Sequence, residues 1–177
     1  MPGTAPPHVL LLTPGFPGDE SDTACIPALQ LFLRAAVAQG IARFSVVAVD
    51  YPHRRGAFAW HAIPVVALGA AGRRGPSRVW NWSRVVAAVW RIHRRDPISL
   101  VHALWLTEAA GLALVLGRLL RRRVVVTAMG QDTDGATAWA RLLPLRRASV
   151  VVPSGRAAAR LEATTGRAAD LVVPWGV

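Results

Sequence analysis

Val124-Val125-Val126-Thr127-Ala128-Met129-Gly130-Gln131-Asp132-Thr133-Asp134 is the stretch from which the fold is read. Its first four residues are β-branched, and the three valines are apolar at successive positions rather than alternating. A strand of that kind is buried on both faces, as in a parallel sheet covered by helices. The run then breaks at Gly130 into a dense amide and carboxylate cluster, so several polar side chains converge just past the strand's carboxyl end. Asp132 and Asp134 carry two readings there: one can cap the following helix while the other faces a ligand.

Similar short runs recur on both sides, at Val9–Thr13, Phe44–Val49, Ile63–Val66, Leu100–Ala103, Val150–Val152 and Leu171–Val173. Between them lie segments of helical spacing: Ala28–Gln39, Ser77–Arg94, Leu106–Leu120, Thr137–Leu143 and Gly155–Thr165. Ser77 and Ser154 suit N-caps, and Gly40 sits where a helix C-terminus needs a left-handed residue. Strand and helix in alternation specify an α/β, doubly wound, mostly parallel Rossmann-like sheet with helices on both faces. Ligands of such sheets bind at the carboxyl ends of the strands. The loops to watch are therefore Pro14–Thr23, Asp50–Trp60, His102–Thr107, Ala128–Gly135, Pro153–Gly155 and Pro174–Val177.

With 177 residues, 53% hydrophobic and 18% charged, the chain suits one globular domain and carries no mark of disorder. Its longest weakly charged apolar stretch, Thr107–Gly117, falls short of the roughly 20 residues that span a bilayer, and its start has no basic segment leading into a long apolar run. A cytoplasmic protein is expected. Cys25 is the single cysteine, which excludes an internal disulfide and a cysteine-based metal cluster; no metal site is expected. All 21 basic residues are arginine, and the net charge of +11 attracts phosphates on nucleotides, membranes or nucleic acids.

The loop after the first strand, Thr13-Pro14-Gly15-Phe16-Pro17-Gly18-Asp19-Glu20-Ser21-Asp22, has two glycines and several acidic or hydroxyl groups. It lacks the glycine spacing of a dinucleotide or P-loop cradle. In Val101-His102-Ala103-Leu104-Trp105 an imidazole stands at the end of a central strand, as a ligand group or as a polar residue satisfied by the backbone. Across Arg73–Arg95, a helical wheel puts Trp82, Val85, Val86, Val89 and Ile92 on one side. Arg84, Arg91, Arg94 and Arg95 fall opposite, with Trp80 among them. A tryptophan in a basic face suits a membrane interface; a solvated helix face is the plainer reading. Arg121-Arg122-Arg123 follows a helix, where the dipole favours cations.

The order of these pieces resembles the N-terminal, acceptor-side domain of retaining GT-B glycosyltransferases. The pieces are Val9–Pro14 with its glycine loop, Leu100–Trp105, Val125–Asp132, Val150-Val151-Val152-Pro153-Ser154, and Val172-Val173-Pro174-Trp175-Gly176-Val177. The resemblance implies one half of a GT-B fold over residues 1–177, without the donor-binding domain. It implies Asp132 as the catalytic candidate, and Gly15, Gly18, His102, Gly130, Gln131 and Ser154 as substrate-binding residues. Met129 stands where that family often has histidine, and Trp175 where it has asparagine. No cofactor is implied, only a nucleotide-sugar donor as co-substrate; the partners are that sugar and its acceptor, through a second domain.

The expectation is therefore the acceptor-binding half of a hexosyltransferase for a lipid-linked or cell-envelope acceptor, inactive by itself. Trp80, Arg84, Arg91, Arg94 and Arg95 would hold it to the inner membrane surface. The alternative is a stand-alone, non-catalytic binding module of the same fold. Nucleic acid is not the expected partner, because no recognised binding motif accompanies the arginines.

Overall fold

The computed structural model describes residues 5–133 and 138–174. Asp134, Gly135, the start of the fourth helix at Thr137 and the terminal Trp175-Gly176-Val177 lie outside the described residues. The elements in chain order are β1 (His8–Gly15), α1 (Pro27–Ala38), β2 (Arg43–Tyr51), β3 (Gly56–Trp60), β4 (Ile63–Ala67), α2 (Pro76–Arg95) and β5 (Leu100–Leu104). There follow α3 (Glu108–Leu120), β6 (Arg123–Thr127), α4 (Ala138–Leu142), β7 (Ser149–Val152), α5 (Gly155–Thr165) and β8 (Leu171–Val172). The strands make one eight-stranded sheet in the order β3-β4-β2-β1-β5-β6-β7-β8. Pairs β2–β4, β6–β7 and β7–β8 are parallel and β3–β4 is antiparallel. This is the α/β, mostly parallel, Rossmann-like architecture read from the valine runs.

The chain divides into two compact units, Met1–Leu11 with Gly15–Leu100, and Leu12–Pro14 with Val101–Val177. In the first, Val9, Leu10 and Leu11 of β1 and Phe44–Val49 of β2 are buried in succession. Apart from Ser45, these positions are apolar, and burying each large side chain contributes roughly 1.5–3 kcal/mol. At the edge the structure corrects the sequence reading. Much of the stretch Asp50–Trp60, expected as one ligand loop, is strand: β2 runs on to Tyr51, and Gly56–Trp60 folds back antiparallel on β4. The turn between them is the two residues His61 (φ 43°) and Ala62 (φ 64°). Two positive φ values are what a tight hairpin requires, and the usual Asn-Gly signal is missing here.

The caps follow the same physics with one correction. Ser77 is not the N-cap of α2: Gly75 takes that position, Pro76 opens the helix, and the Ser77 hydroxyl donates to Arg74 O at 2.8 Å. Ser154 does cap α5, its Oγ accepting from Ala157 N–H at 3.2 Å. Gly40 takes a left-handed φ of 64° just past α1.

In the second unit, α3 is buried at nine of its 13 positions. Gly117 is the reason it can lie close to β6: a Cβ there would stand 2.1 Å from Val124 Cγ2 and 3.1 Å from Arg122 O.

Candidate functional site

The expected site residues fall into separate groups within the two units. In the second unit, the passage from β5 to α3 and the loop after β6 are tied together by a few polar bonds. His102 on β5 places Nε2 2.8 Å from Thr127 Oγ1 at the end of β6. Trp105, forced to φ 67°, donates its N–H to Thr127 O at 2.8 Å. Burial lowers the His102 imidazole to about 4, so at neutral pH it is an uncharged ring that offers hydrogen bonds but no positive charge.

Asp132 is 4% exposed, and both its oxygens are engaged by backbone. Oδ2 accepts from Leu106 N–H, just ahead of α3, and Oδ1 accepts from Gly130 N–H at 3.0 Å. Burial pushes its carboxyl up, and the amides offset part of that rise. The Asp132 side chain thus staples one loop to another, rather than capping the helix that follows it. Gly130 needs its flexibility, at φ 102°. Its carbonyl accepts from Thr133 Oγ1 at 2.6 Å, and Thr133 O accepts from Thr164 Oγ1 of α5 at 2.8 Å. Gln131 is exposed. The Ser154 hydroxyl is occupied by its capping bond.

In the first unit, the loop after β1 is organised by Asp22. Its Oδ2 accepts from Gly18 N–H at 3.1 Å and from the Tyr51 hydroxyl at 2.8 Å, and its Oδ1 from Cys25 N–H at 3.2 Å. Hydrogen bonds from Gly18, Tyr51 and Cys25 outweigh burial and hold the Asp22 carboxyl below its usual value. Gly18 O accepts from Arg54 Nη2 of the loop after β2 at 2.6 Å, so both backbone groups of Gly18 are spent on protein partners. A Cβ on Gly15 would make only ordinary contacts, 3.7 Å from Tyr51 Cβ and 4.0 Å from Cys25 Sγ. Burial, with the Asp22 charge beside it, raises the Cys25 thiol to about 11, which leaves it an unreactive neutral group.

The α2 face also lies in the first unit. Val85, Ala88 and Val89 are buried, while Trp80 (61%) and Trp90 (51%) stand out among exposed Arg91, Arg94 and Arg95. Arg84 lies over the Trp80 ring, 5.5 Å from its centroid. Trp80, Arg84, Arg91 and Arg94 repeat at spacings of four, seven and three residues, which keeps them on one stripe. Sequence reasoning missed the Asp22–Tyr51 bond and the neighbouring loops that carry Arg55 and Arg73, because nothing local reports which loops meet. Among the described residues, no group of three His, Cys, Asp or Glu side chains is placed to hold a metal ion. No helix among them is long and apolar enough to cross a membrane.

No family model and no curated protein sequence matches the chain. Among solved structures it is similar to sucrose-phosphate synthase from Thermosynechococcus elongatus, with a TM-score of 0.54 and 15% identity. The likeness covers 95% of this chain and 48% of that one, so the chain spans about half the length of the structure it matches. At this identity the likeness is one of fold: the Rossmann-like α/β fold of one half of a GT-B glycosyltransferase.

Proposed function

We propose that this chain is the acceptor-binding half of a nucleotide-sugar-dependent glycosyltransferase that moves a hexose, with retention of configuration, onto a lipid-linked or cell-envelope acceptor. The observation that carries the reading is the overlay of nearly the whole chain on half of a glycosyltransferase of known structure. In this reading His102 and Gln131 offer hydrogen bonds to substrate, Gly15, Gly18 and Gly130 shape the backbone of the ligand loops, and Ser154 presents the start of α5. Asp132 acts as a positioning residue, since its oxygens hold Leu106 and Gly130. The Trp80, Arg84, Arg91, Arg94 and Arg95 face of α2 rests on anionic membrane at the cytoplasmic side. A second domain supplies the groups that bind the donor diphosphate, and without it the leaving phosphate has no stabilising charge.

The test is sugar transfer. Expressed with the reading frame that follows the Val177 codon, the protein is expected to move radiolabelled hexose from a nucleotide sugar into a lipid extract, and the 177 residues alone are not. If the extended protein labels no lipid with UDP-, GDP- or ADP-hexoses, the transferase reading fails. The stand-alone binding module, which the internally spent Gly18, Asp132 and Ser154 groups favour, then takes its place.

A further inference from the structure

Three loops and turns of the first unit meet at the end of the sheet where β2 and β4 finish. Gly69 at φ 54° lies directly against the 53–54 backbone: a Cβ on it would be 3.0 Å from Arg54 C and 3.1 Å from His53 O. The loop that follows β4 therefore abuts the loop that follows β2. Arg78, in the first turn of α2, ties this corner down by donating to Ala70 O at 3.0 Å and to Asp50 Oδ1 at 2.7 Å. The Asp50 carboxylate at the end of β2 is thereby taken.

Arg55, Arg73 and Arg84 come to this corner from three different elements. No carboxylate pairs with any of them among the described residues. Arg55 and Arg73 are exposed. The Arg55 guanidinium is held below its ordinary value by desolvation first and then by the charges of Arg84 and Arg73. Keeping unpaired like charges together costs energy that a bound anion would return. Guanidinium groups suit phosphate in particular, because each offers a planar fork of donors. Beside them the Trp80 ring is 61% exposed and Val79 57%. An aromatic and an aliphatic side chain next to a phosphate site fit the boundary between headgroup and acyl chain.

We infer that Arg55, Arg73 and Arg84, with Trp80 beside them, form a discrete site for the phosphomonoester or diphosphate headgroup of a membrane lipid. This rests on the membrane reading of α2 above and sharpens it, from a diffuse basic face to a defined cluster of charge. It adds Arg55 and Arg73, which lie outside the amphipathic helix.

Two arms on the full chain test it. Inorganic pyrophosphate, titrated calorimetrically, is expected to bind saturably. Arg55→Gln/Arg73→Gln should weaken it at least about tenfold, and the control Arg91→Gln/Arg94→Gln less than about twofold. Equal weakening by the two pairs, or no saturable binding to the wild type, overturns the site. In the second arm, phosphatidylcholine vesicles carry phosphatidic acid or phosphatidylglycerol at matched surface charge. The wild type should prefer phosphatidic acid, and Arg55→Gln/Arg73→Gln should abolish that preference. Pyrophosphate binding without a phosphatidic acid preference overturns the lipid as source and leaves a free phosphate compound as ligand. Pyrophosphate binding with no retention on either anionic vesicle overturns the membrane reading of α2 itself.

Discussion

The helices α2 and α3 each follow a strand of the sheet, yet they are built to opposite specifications. The passage into α3 is tight and internal: Leu106 is fully buried, Trp105 is held at a positive φ, and Asp132 and Thr127 close it with side-chain and backbone bonds. The passage into α2 is open, with Gly69, Gly72 and Gly75 all at positive φ and Arg73 and Arg74 exposed between them. Of the 20 residues of α2 only Asn81, Val85, Ala88 and Val89 are buried, against nine of 13 in α3. An internal helix has no surface to spare for recognition. A helix that buries a narrow stripe leaves most of its circumference for charge, and that is where the arginines and tryptophans stand.

The largest expected effect that sharpens this contrast is a pH dependence on the α3 side. The folded protein keeps His102 neutral down to about 4, while the unfolded chain takes up a proton below about 6.5. Its contribution is thus complete above pH 6.5 and is lost as the pH falls toward 4, by at most about 3 kcal/mol. Denaturant melts of wild type and His102→Asn between pH 6.5 and 5 check this: the wild type should lose stability more steeply. Parallel slopes would place the imidazole in contact with water.

Next comes Gly117→Ala. Alanine is the better helix former by about 1 kcal/mol, but the new methyl would collide with Val124 Cγ2 at 2.1 Å and press on Arg122 O. Valine is stiff, so the strand or helix must shift. We expect a net loss of about 2 kcal/mol in chemical denaturation. The same added bulk at exposed Ala87 of α2, as Ala87→Ser, should stay within about 0.5 kcal/mol.

The smallest effect has the opposite sign and belongs to α2. Asn81 is 1% exposed and, among the described residues, neither polar atom of its side-chain amide has a hydrogen-bond partner. An unsatisfied buried amide is costly, so Asn81→Leu should raise stability by about 1 kcal/mol, or about 2–4 °C in a thermal melt for a chain of this size. Loss of stability would mean that the amide has a partner in solution.

Much of this was legible in the linear order of residues. Apolar runs at Val9–Leu12, Val46–Val49 and Val124–Val126 called for a sheet covered on both faces, because a strand with one wet face would alternate. The amphipathic split of α2 was legible as well, since 3.6-residue periodicity is a property of local sequence. The Ser154 cap was written three residues ahead of the amide it accepts. Hidden from that reading was everything that depends on which loops become neighbours. The β3 edge strand turns on His61 and Ala62, whose side chains carry no hairpin signal. Asp132 had a capping and a ligand reading, and neither foresaw that Leu106, 26 residues away, would claim one of its oxygens. Arg55 and Arg73 were ordinary surface arginines until Gly69 packed against the 53–54 backbone and set their loops side by side. Periodicity is a property of near neighbours along the chain and can be read from their order. The partners of individual charges are set by long-range chain closure and exist only once distant loops have been brought together.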